Sequence, residues 1–205
     1  MKKLIGILTI LMTACSACGP GELVITDDSA AFVELQEPEV EIVDTTIGFL
    51  ETEDCGWQIG DKVCDFQLPD QDEELWRLSN NSGDLILLDL SVMWCGPCNV
   101  AAQTQQSVQD QYEDQGFQYV TVLIADSQND TVEDSDLDLW TTMHSITSAP
   151  VLRGSRELLQ SSGLSYGFPA SSWPTFVIID REGYLAFGMY GYSESMIIEE
   201  IESNL

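Results

Sequence analysis

An almost continuous apolar segment, LILLDLS at residues 85–91, is followed after three residues by the pair Cys95 and Cys98. A strand that is apolar on both faces must be covered on both faces, which is typical of a central strand in an α/β protein. Residues 99–112 are polar, rich in glutamine and free of glycine and proline, which predicts a helix. The sequence therefore places a Cys-x-x-Cys pair between the end of a buried strand and the start of a helix.

The other segments continue this alternation of strands and helices. They are a hairpin at 65–79, a strand at 117–126, helices at 131–146 and 155–162, two antiparallel strands at 174–180 and 184–190, and a helix at 193–205. We expect a capping box from Thr131 to Asp134 and an N-cap at Ser193. This order predicts an α/β fold with a central mixed β-sheet flanked by helices on both faces.

The N-terminus has the pattern of a secretory signal. Lys2 and Lys3 precede a short apolar run, and LMTACSAC at residues 11–18 resembles a bacterial lipobox. Cys15 is the expected lipidated residue, with Cys18 as the alternative and an ordinary cleaved signal as a further one. In each case residues 1–18 are a targeting segment, and the rest of the protein is expected outside the cytoplasm.

Residues 19–54 contain eleven acidic side chains and no basic one. This composition predicts an acidic tether, in which ELVITDD and VEIVDTT have the pattern of short strands. Residues 55–205 would then form the folded domain. The whole chain has a formal net charge of −28, which argues against a nucleic-acid partner and is compatible with a basic partner or a merely solvated surface. We expect a monomer.

The spacing of Cys95 and Cys98 suits reversible disulfide chemistry. Cys95 falls at a helix N-terminus, where free N–H groups and the helix dipole favour a thiolate. Cys98 lies about one turn further, so the two sulfurs can join. Half a metal site and a structural disulfide are the alternatives. The single histidine, His144, is expected on a helix surface, and two further zinc ligands at a suitable spacing are missing, so no metal is expected.

Two motifs carry a family resemblance. DLSVMWCGPC at residues 89–98 resembles the active-site segment of the thioredoxin superfamily, and SSWPTFVIID at 171–180 resembles its cis-proline segment. Together with IGDKVCDFQLPDQD at 59–72 and the final helix, they make residues 56–205 similar to extracytoplasmic TlpA/ResA-like proteins. The resemblance implies a thioredoxin-like fold and a thiol–disulfide oxidoreductase, without a bound cofactor, that exchanges disulfides with client proteins.

The resemblance also implies roles for individual residues. Cys95 corresponds to the nucleophile, Cys98 to the resolving thiol and Asp89 to the buried acid that relays protons to it. Pro174 corresponds to the cis-proline, which would leave the backbone of Trp173 free to pair with an extended client. Trp94 is expected either to shield the cysteine pair or to be a plain core residue.

Several positions depart from the relatives. Cys64 stands where relatives commonly have proline, and with Cys55 nine residues away we expect a structural disulfide. Trp173 is bulky for its position. Peroxidase chemistry of the peroxiredoxin kind would require a threonine where this chain has Val92.

The direction of exchange is open on sequence grounds. The Gly-Pro dipeptide between the cysteines favours a reductant by analogy with thioredoxin, and such a protein needs an upstream membrane thiol donor. The expected location is the bacterial envelope, as a membrane-anchored lipoprotein, with a soluble periplasmic or secreted protein as the alternative. A non-catalytic thioredoxin-like module that binds metal or carries a structural disulfide at the Cys-x-x-Cys is the rival function.

Overall fold

The computed structural model describes residues 45–205. The expected signal peptide at 1–18, with Cys15 and Cys18, and residues 19–44 of the expected tether lie outside the described residues. Within residues 45–205, no helix has both the length and the apolar character needed to cross a bilayer.

The centre of the molecule is a five-stranded sheet built around β4 (Leu85–Ser91). On one side β4 pairs in parallel with β5 (Phe117–Leu123), which pairs in parallel with β6 (Val151–Arg153). On the other side β4 pairs antiparallel with β7 (Thr175–Ile179), which pairs antiparallel with β8 (Leu185–Tyr190). The order β6-β5-β4-β7-β8 confirms the predicted mixed sheet.

Helices cover both faces of this sheet, as predicted. The α1 helix (Gly96–Tyr112) and the α3 helix (Glu194–Asn204) share one apolar cluster with Leu85 and Leu87 of β4, whereas α2 (Asp134–His144) shares a cluster with the alternate residues of the same strand. Successive side chains of a strand point to opposite faces. By this alternation Asp89 lies on the face that α1 and α3 cover.

A second sheet adds to the α2 side of the core. Its strands β1 (Gly48–Phe49), β2 (Phe66–Pro69) and β3 (Leu75–Arg77) are antiparallel, and β2 with β3 forms the predicted hairpin. The ring of Phe49 lies 5.0 Å from that of Phe168 and tilts against it. The folded part of the chain therefore includes Gly48 and Phe49, which lie inside the range expected as a tether.

One helix start and one short helix differ from expectation. Helix α2 begins at Asp134, and the carboxylate of Asp136 accepts the N–H of Glu133 at 2.9 Å, so the capping box lies two residues after the predicted one at Thr131. Ser193 is at the N-cap of α3 but makes no side-chain cap bond. The helix expected at 155–162 is two 3₁₀ turns, Arg156–Leu158 and Gln160–Ser162.

Arg181, in the turn between β7 and β8, binds backbone carbonyls from three separate parts of the chain. Its guanidinium donates to the carbonyl oxygens of Gly83 at 3.0 Å, Gln115 at 2.9 Å, Gly116 at 3.4 Å and Leu205 at 3.2 Å. The C-terminus and two loops are thereby joined at one side chain.

Candidate active site

The cysteine pair lies where the buried strand β4 passes into helix α1. The N–H of Met93 donates to the carbonyl of Ala125 at 3.0 Å, which ties the connecting segment to the segment that follows β5. Cys95 is the N-cap of α1, and Pro97 lies in its first turn, where a missing N–H has no helical partner to lose. Cys95 and Cys98 are joined as a disulfide with Cα atoms 5.2 Å apart.

The helix N-terminus acts directly on the sulfur of Cys95. The backbone N–H of Cys98 donates to Cys95 Sγ at 3.2 Å. Cys95 remains 5% exposed, whereas Cys98 is fully buried. Because an N–H donor and the positive end of the helix dipole both favour a negative sulfur, Cys95 is the better placed of the two to react as a thiolate.

Asn99 holds the backbone on both sides of Cys95. Its side-chain amide donates to the carbonyl of Met93 at 2.9 Å and to that of Cys95 at 2.8 Å. No motif in the sequence pointed to this residue. A short polar side chain in the first turn of a helix that starts at a cysteine is the signal that could have found it.

The predicted cis-proline lies at the same end of the sheet. The bond between Trp173 and Pro174 is cis. Thr175 pairs with Leu90 across β7 and β4, so Pro174 lies beside the end of the strand that leads to Cys95. Trp173 is half-buried against the core, and its backbone N–H and C=O make no hydrogen bond to another described residue.

Trp94 is exposed rather than part of the core. Its side chain is 49% exposed, and its indole N–H donates to Asn129 Oδ1 at 2.9 Å. The guanidinium of Arg156 also donates to this oxygen. The core alternative for Trp94 is therefore wrong. Asn129 lies in a loop and Arg156 in a 3₁₀ turn, both distant in sequence from the cysteines, so no local pattern connected them with the pair.

Asp89 is fully buried beneath α1. Ser91 Oγ donates to Asp89 Oδ1 at 2.6 Å, and the hydroxyl of Tyr119 donates to Asp89 Oδ2 at 3.5 Å. Burial raises the pKa of Asp89 to about 7, against the lowering effect of these two hydrogen bonds. A carboxyl group with this pKa can take up and release a proton near neutral pH.

Cys55 and Cys64 lie at the opposite end of the sheet. Cys55 and Cys64 form a disulfide with an S–S distance of 2.03 Å, and Cys64 is fully buried. Cys55 lines a cavity of about 430 Å³ together with Ile86 and Ile179, from the ends of β4 and β7 remote from Cys95. This disulfide is therefore separate from the reactive pair.

His144 is less exposed than expected. Its ring packs edge-on against Trp140 at 4.5 Å, burial lowers the pKa of the imidazole, and neither ring nitrogen has a hydrogen-bond partner among the described residues. Within residues 45–205 no three histidine, cysteine or acidic side chains are grouped so that they could hold a metal ion.

Comparison with known proteins places this site in context. The model of the AhpC/TSA family matches residues 59–187. No curated protein matches the chain.

Several solved structures with the same fold align with most of this chain. A protein described as thiol:disulfide interchange protein DsbE from Chlorobium tepidum has a TM-score of 0.58 at 23% identity, covering 73% of this chain and 99% of its own. The pneumococcal exposed lipoprotein thioredoxin from Streptococcus pneumoniae has a TM-score of 0.55 at 25% identity, with coverages of 69% and 99%. A DsbF homologue from Corynebacterium diphtheriae has a TM-score of 0.59 at 16% identity, with coverages of 77% and 99%. These similarities confirm the predicted thioredoxin-like fold.

Proposed function

The chain belongs to the AhpC/TSA family, and we propose that it is a thiol–disulfide oxidoreductase that exchanges disulfides with client proteins through Cys95 and Cys98. The observation that carries this proposal is the placement of the pair. Cys95 Sγ lies at a helix N-terminus within 3.2 Å of an N–H donor, and a second cysteine one turn away is bonded to it. Such a pair can alternate between dithiol and disulfide without a bound cofactor.

In the reducing direction the reaction has two steps. The Cys95 thiolate attacks one sulfur of a client disulfide, forming a mixed disulfide and releasing the other client sulfur as a thiolate. Cys98 then loses its proton and attacks Cys95 Sγ, which breaks the mixed disulfide and releases the second client sulfur. The client gains two electrons, its two thiolates take up protons from the solvent, and the protein becomes the disulfide observed between Cys95 and Cys98.

Asp89 is the proposed proton acceptor for Cys98. Cys98 is fully buried, so solvent water has no direct access to its thiol. A buried carboxyl group with a pKa of about 7 can accept the thiol proton as Cys98 attacks and return it when the pair is reduced again.

The client would lie across Cys95 and the loop that contains Pro174. The backbone of Trp173 makes no hydrogen bond within the described residues, so it is available to pair with an extended client segment in the manner of an added strand. The exposed ring of Trp94 offers an apolar contact beside the reacting sulfur.

A peroxidase is the main alternative that the family raises. The attacking cysteine of such an enzyme needs a hydroxyl group nearby, at the position that Val92 occupies in this chain. Val92 is apolar and fully buried. The paired cysteines and the absence of a hydroxyl at residue 92 favour disulfide exchange over the reduction of hydroperoxides.

The proposed setting is the bacterial envelope. Signal-like residues 1–18, with Cys15 or Cys18 as a lipidated anchor, would hold residues 55–205 outside the cytoplasm on an acidic tether. We propose a monomer that acts as a reductant, which requires an upstream membrane thiol donor.

The decisive experiment follows reduction of a protein disulfide by the purified chain in the presence of dithiothreitol. We expect turnover that Cys95→Ser abolishes and that the paired control, Cys55→Ser with Cys64→Ser, retains. The same samples are assayed for hydroperoxide consumption and for bound metal. Hydroperoxide turnover without disulfide reduction, or stoichiometric metal lost on Cys95→Ser, would refute the proposal. A reduction potential near about −270 mV would support the reductant role, and one near about −120 mV an oxidant.

A further inference from the structure

The carboxylate of Asp89 has a hydroxyl donor on each oxygen. Ser91, two residues further along the same strand and on the same face, donates to Oδ1 at 2.6 Å. Tyr119, on the neighbouring strand β5, donates to Oδ2 at 3.5 Å. All three side chains are almost fully buried, at 0% to 1% exposure.

Among the described residues, no positively charged side chain faces Asp89. The β7 strand places Phe176 beside it in register, and α1 contributes the neutral side chains of Thr104 and Gln105. Among the described residues, two tyrosines interact electrostatically with Asp89: Tyr119 itself, and Tyr192 after β8, whose hydroxyl lies 2.9 Å from Thr104 Oγ1. Glu194, at the start of α3, acts on Tyr192. Hydroxyl groups therefore replace the positive charge that would otherwise stabilise a buried carboxylate.

The two hydroxyl groups and burial shift the pKa of Asp89 in opposite directions. Removal from water favours the neutral carboxyl group, whereas hydrogen bonds donated to its oxygens favour the ionised one. Burial raises the pKa of Tyr119 well above its usual value, so Tyr119 keeps its proton and remains a donor at neutral pH. Without such donors the carboxyl group would stay protonated at neutral pH and could not accept a proton.

We propose that Ser91 and Tyr119 are positioning residues that hold the Asp89 carboxylate ready to accept the proton of Cys98, and thereby set the pH at which the second half of disulfide exchange proceeds. This inference rests on the proposed function and extends it. The step is a transfer of one proton from the Cys98 thiol to an Asp89 oxygen, while the Cys98 sulfur forms its bond to Cys95 Sγ and the client leaves as a thiolate.

The test separates the two halves of the reaction. Reduced protein is mixed with an aromatic disulfide that releases a coloured thiolate, in a stopped-flow instrument, from pH 5 to pH 9. Attack by Cys95 gives a phase whose rate depends on the concentration of the disulfide, and resolution by Cys98 gives a second phase that does not. In parallel, the carbon-13 shift of the Asp89 carboxyl group is titrated by NMR, which does not depend on activity.

The variants are Ser91→Ala and Tyr119→Phe, with Thr121→Val as the matched control. Thr121 is equally buried and pairs with Asp89 in register, but its hydroxyl donates to Gln105 Oε1 at 3.0 Å. We expect Ser91→Ala to raise the pH midpoint of the second phase by about one unit, which makes resolution about tenfold slower below the midpoint. Tyr119→Phe should raise it less, because its hydrogen bond is longer, and Thr121→Val should leave it unchanged.

Asp89→Asn serves as the reference that separates this inference from the proposed function. If Asp89→Asn removes the pH midpoint but Ser91→Ala and Tyr119→Phe move neither it nor the NMR titration, the inference is wrong and the role of Asp89 stands. If Asp89→Asn leaves the midpoint unchanged, the role of Asp89 and this inference both fail. Loss of the first phase in the unaltered protein would instead overturn the proposed function itself.

Discussion

The burial of Asp89 predicts a measurable cost in stability that depends on pH. The carboxyl group has a pKa of about 7 in the folded protein against an ordinary value of 3.8. Well below pH 3.8 it is protonated in both the folded and the unfolded state and contributes no pH-dependent difference. Between these values the unfolded chain releases the proton that the folded protein retains, so the free energy of unfolding falls as the pH rises.

The size of this effect follows from the two pKa values. The difference, 7 − 3.8 = 3.2 units, corresponds to about 4 kcal/mol at 1.36 kcal/mol per unit, reached in full above pH 7. Because the group is fully buried, solvent screening does not reduce this figure. The neutral variant Asp89→Asn lacks the cost, so its advantage over the unaltered protein should grow by up to about 4 kcal/mol between pH 3 and pH 8.

The measurement is unfolding of the oxidised protein by urea at a series of pH values. The difference at pH 3 gives the effect of the amide itself, and its change between pH 3 and pH 8 isolates the ionisation. Asp114→Asn, at an exposed position, changes the net charge equally and controls for general repulsion. If the stability curves of Asp89→Asn and of the unaltered protein run parallel from pH 3 to pH 8, the carboxyl group has no raised pKa and the reasoning is refuted.

Three further outcomes are expected. Cys98→Ser should trap a client on Cys95 as a mixed disulfide visible by non-reducing electrophoresis; its absence would argue against Cys95 as the nucleophile. Replacing Cys55 and Cys64 together by serine should lower the free energy of unfolding by about 2–3 kcal/mol, the expected effect of a short closed loop; unchanged urea denaturation would contradict a structural role. Asn129→Ala frees the indole of Trp94, and losing one hydrogen bond of about 1 kcal/mol should raise KM for a protein client roughly fivefold at constant kcat; an unchanged KM would show that this contact does not matter.

Most of the fold could be predicted because its signals are local. The apolar run at 85–91 coincides with β4, and the glycine-free segment after Cys98 coincides with α1. Both predictions depend on the hydrophobic pattern and on the positions of helix-breaking residues. These features can be read from the sequence without knowing what each segment packs against. The predicted start of α2 was wrong because Asp136 could compete with Asp134 as the capping acid. Only the backbone geometry decides between the two residues.

The candidate site was predictable only in part, since several of its contacts depend on register between strands. Asp89 could be assigned from its distance to Cys95, but Tyr119 meets it only because β4 and β5 pair with Asp89 opposite Thr121. Asn129 reaches Trp94 across 35 residues of sequence. Such contacts follow from tertiary packing, which composition and periodicity do not encode.

The attachment of three chain segments to Arg181 has a consequence for motion at the end of the sheet remote from Cys95 and Cys98. Since one guanidinium binds carbonyls from two loops and from the C-terminal residue, releasing any of them weakens the hold on the others. These segments should therefore open together as one local unfolding unit, and their amide hydrogens should exchange with solvent at a common rate.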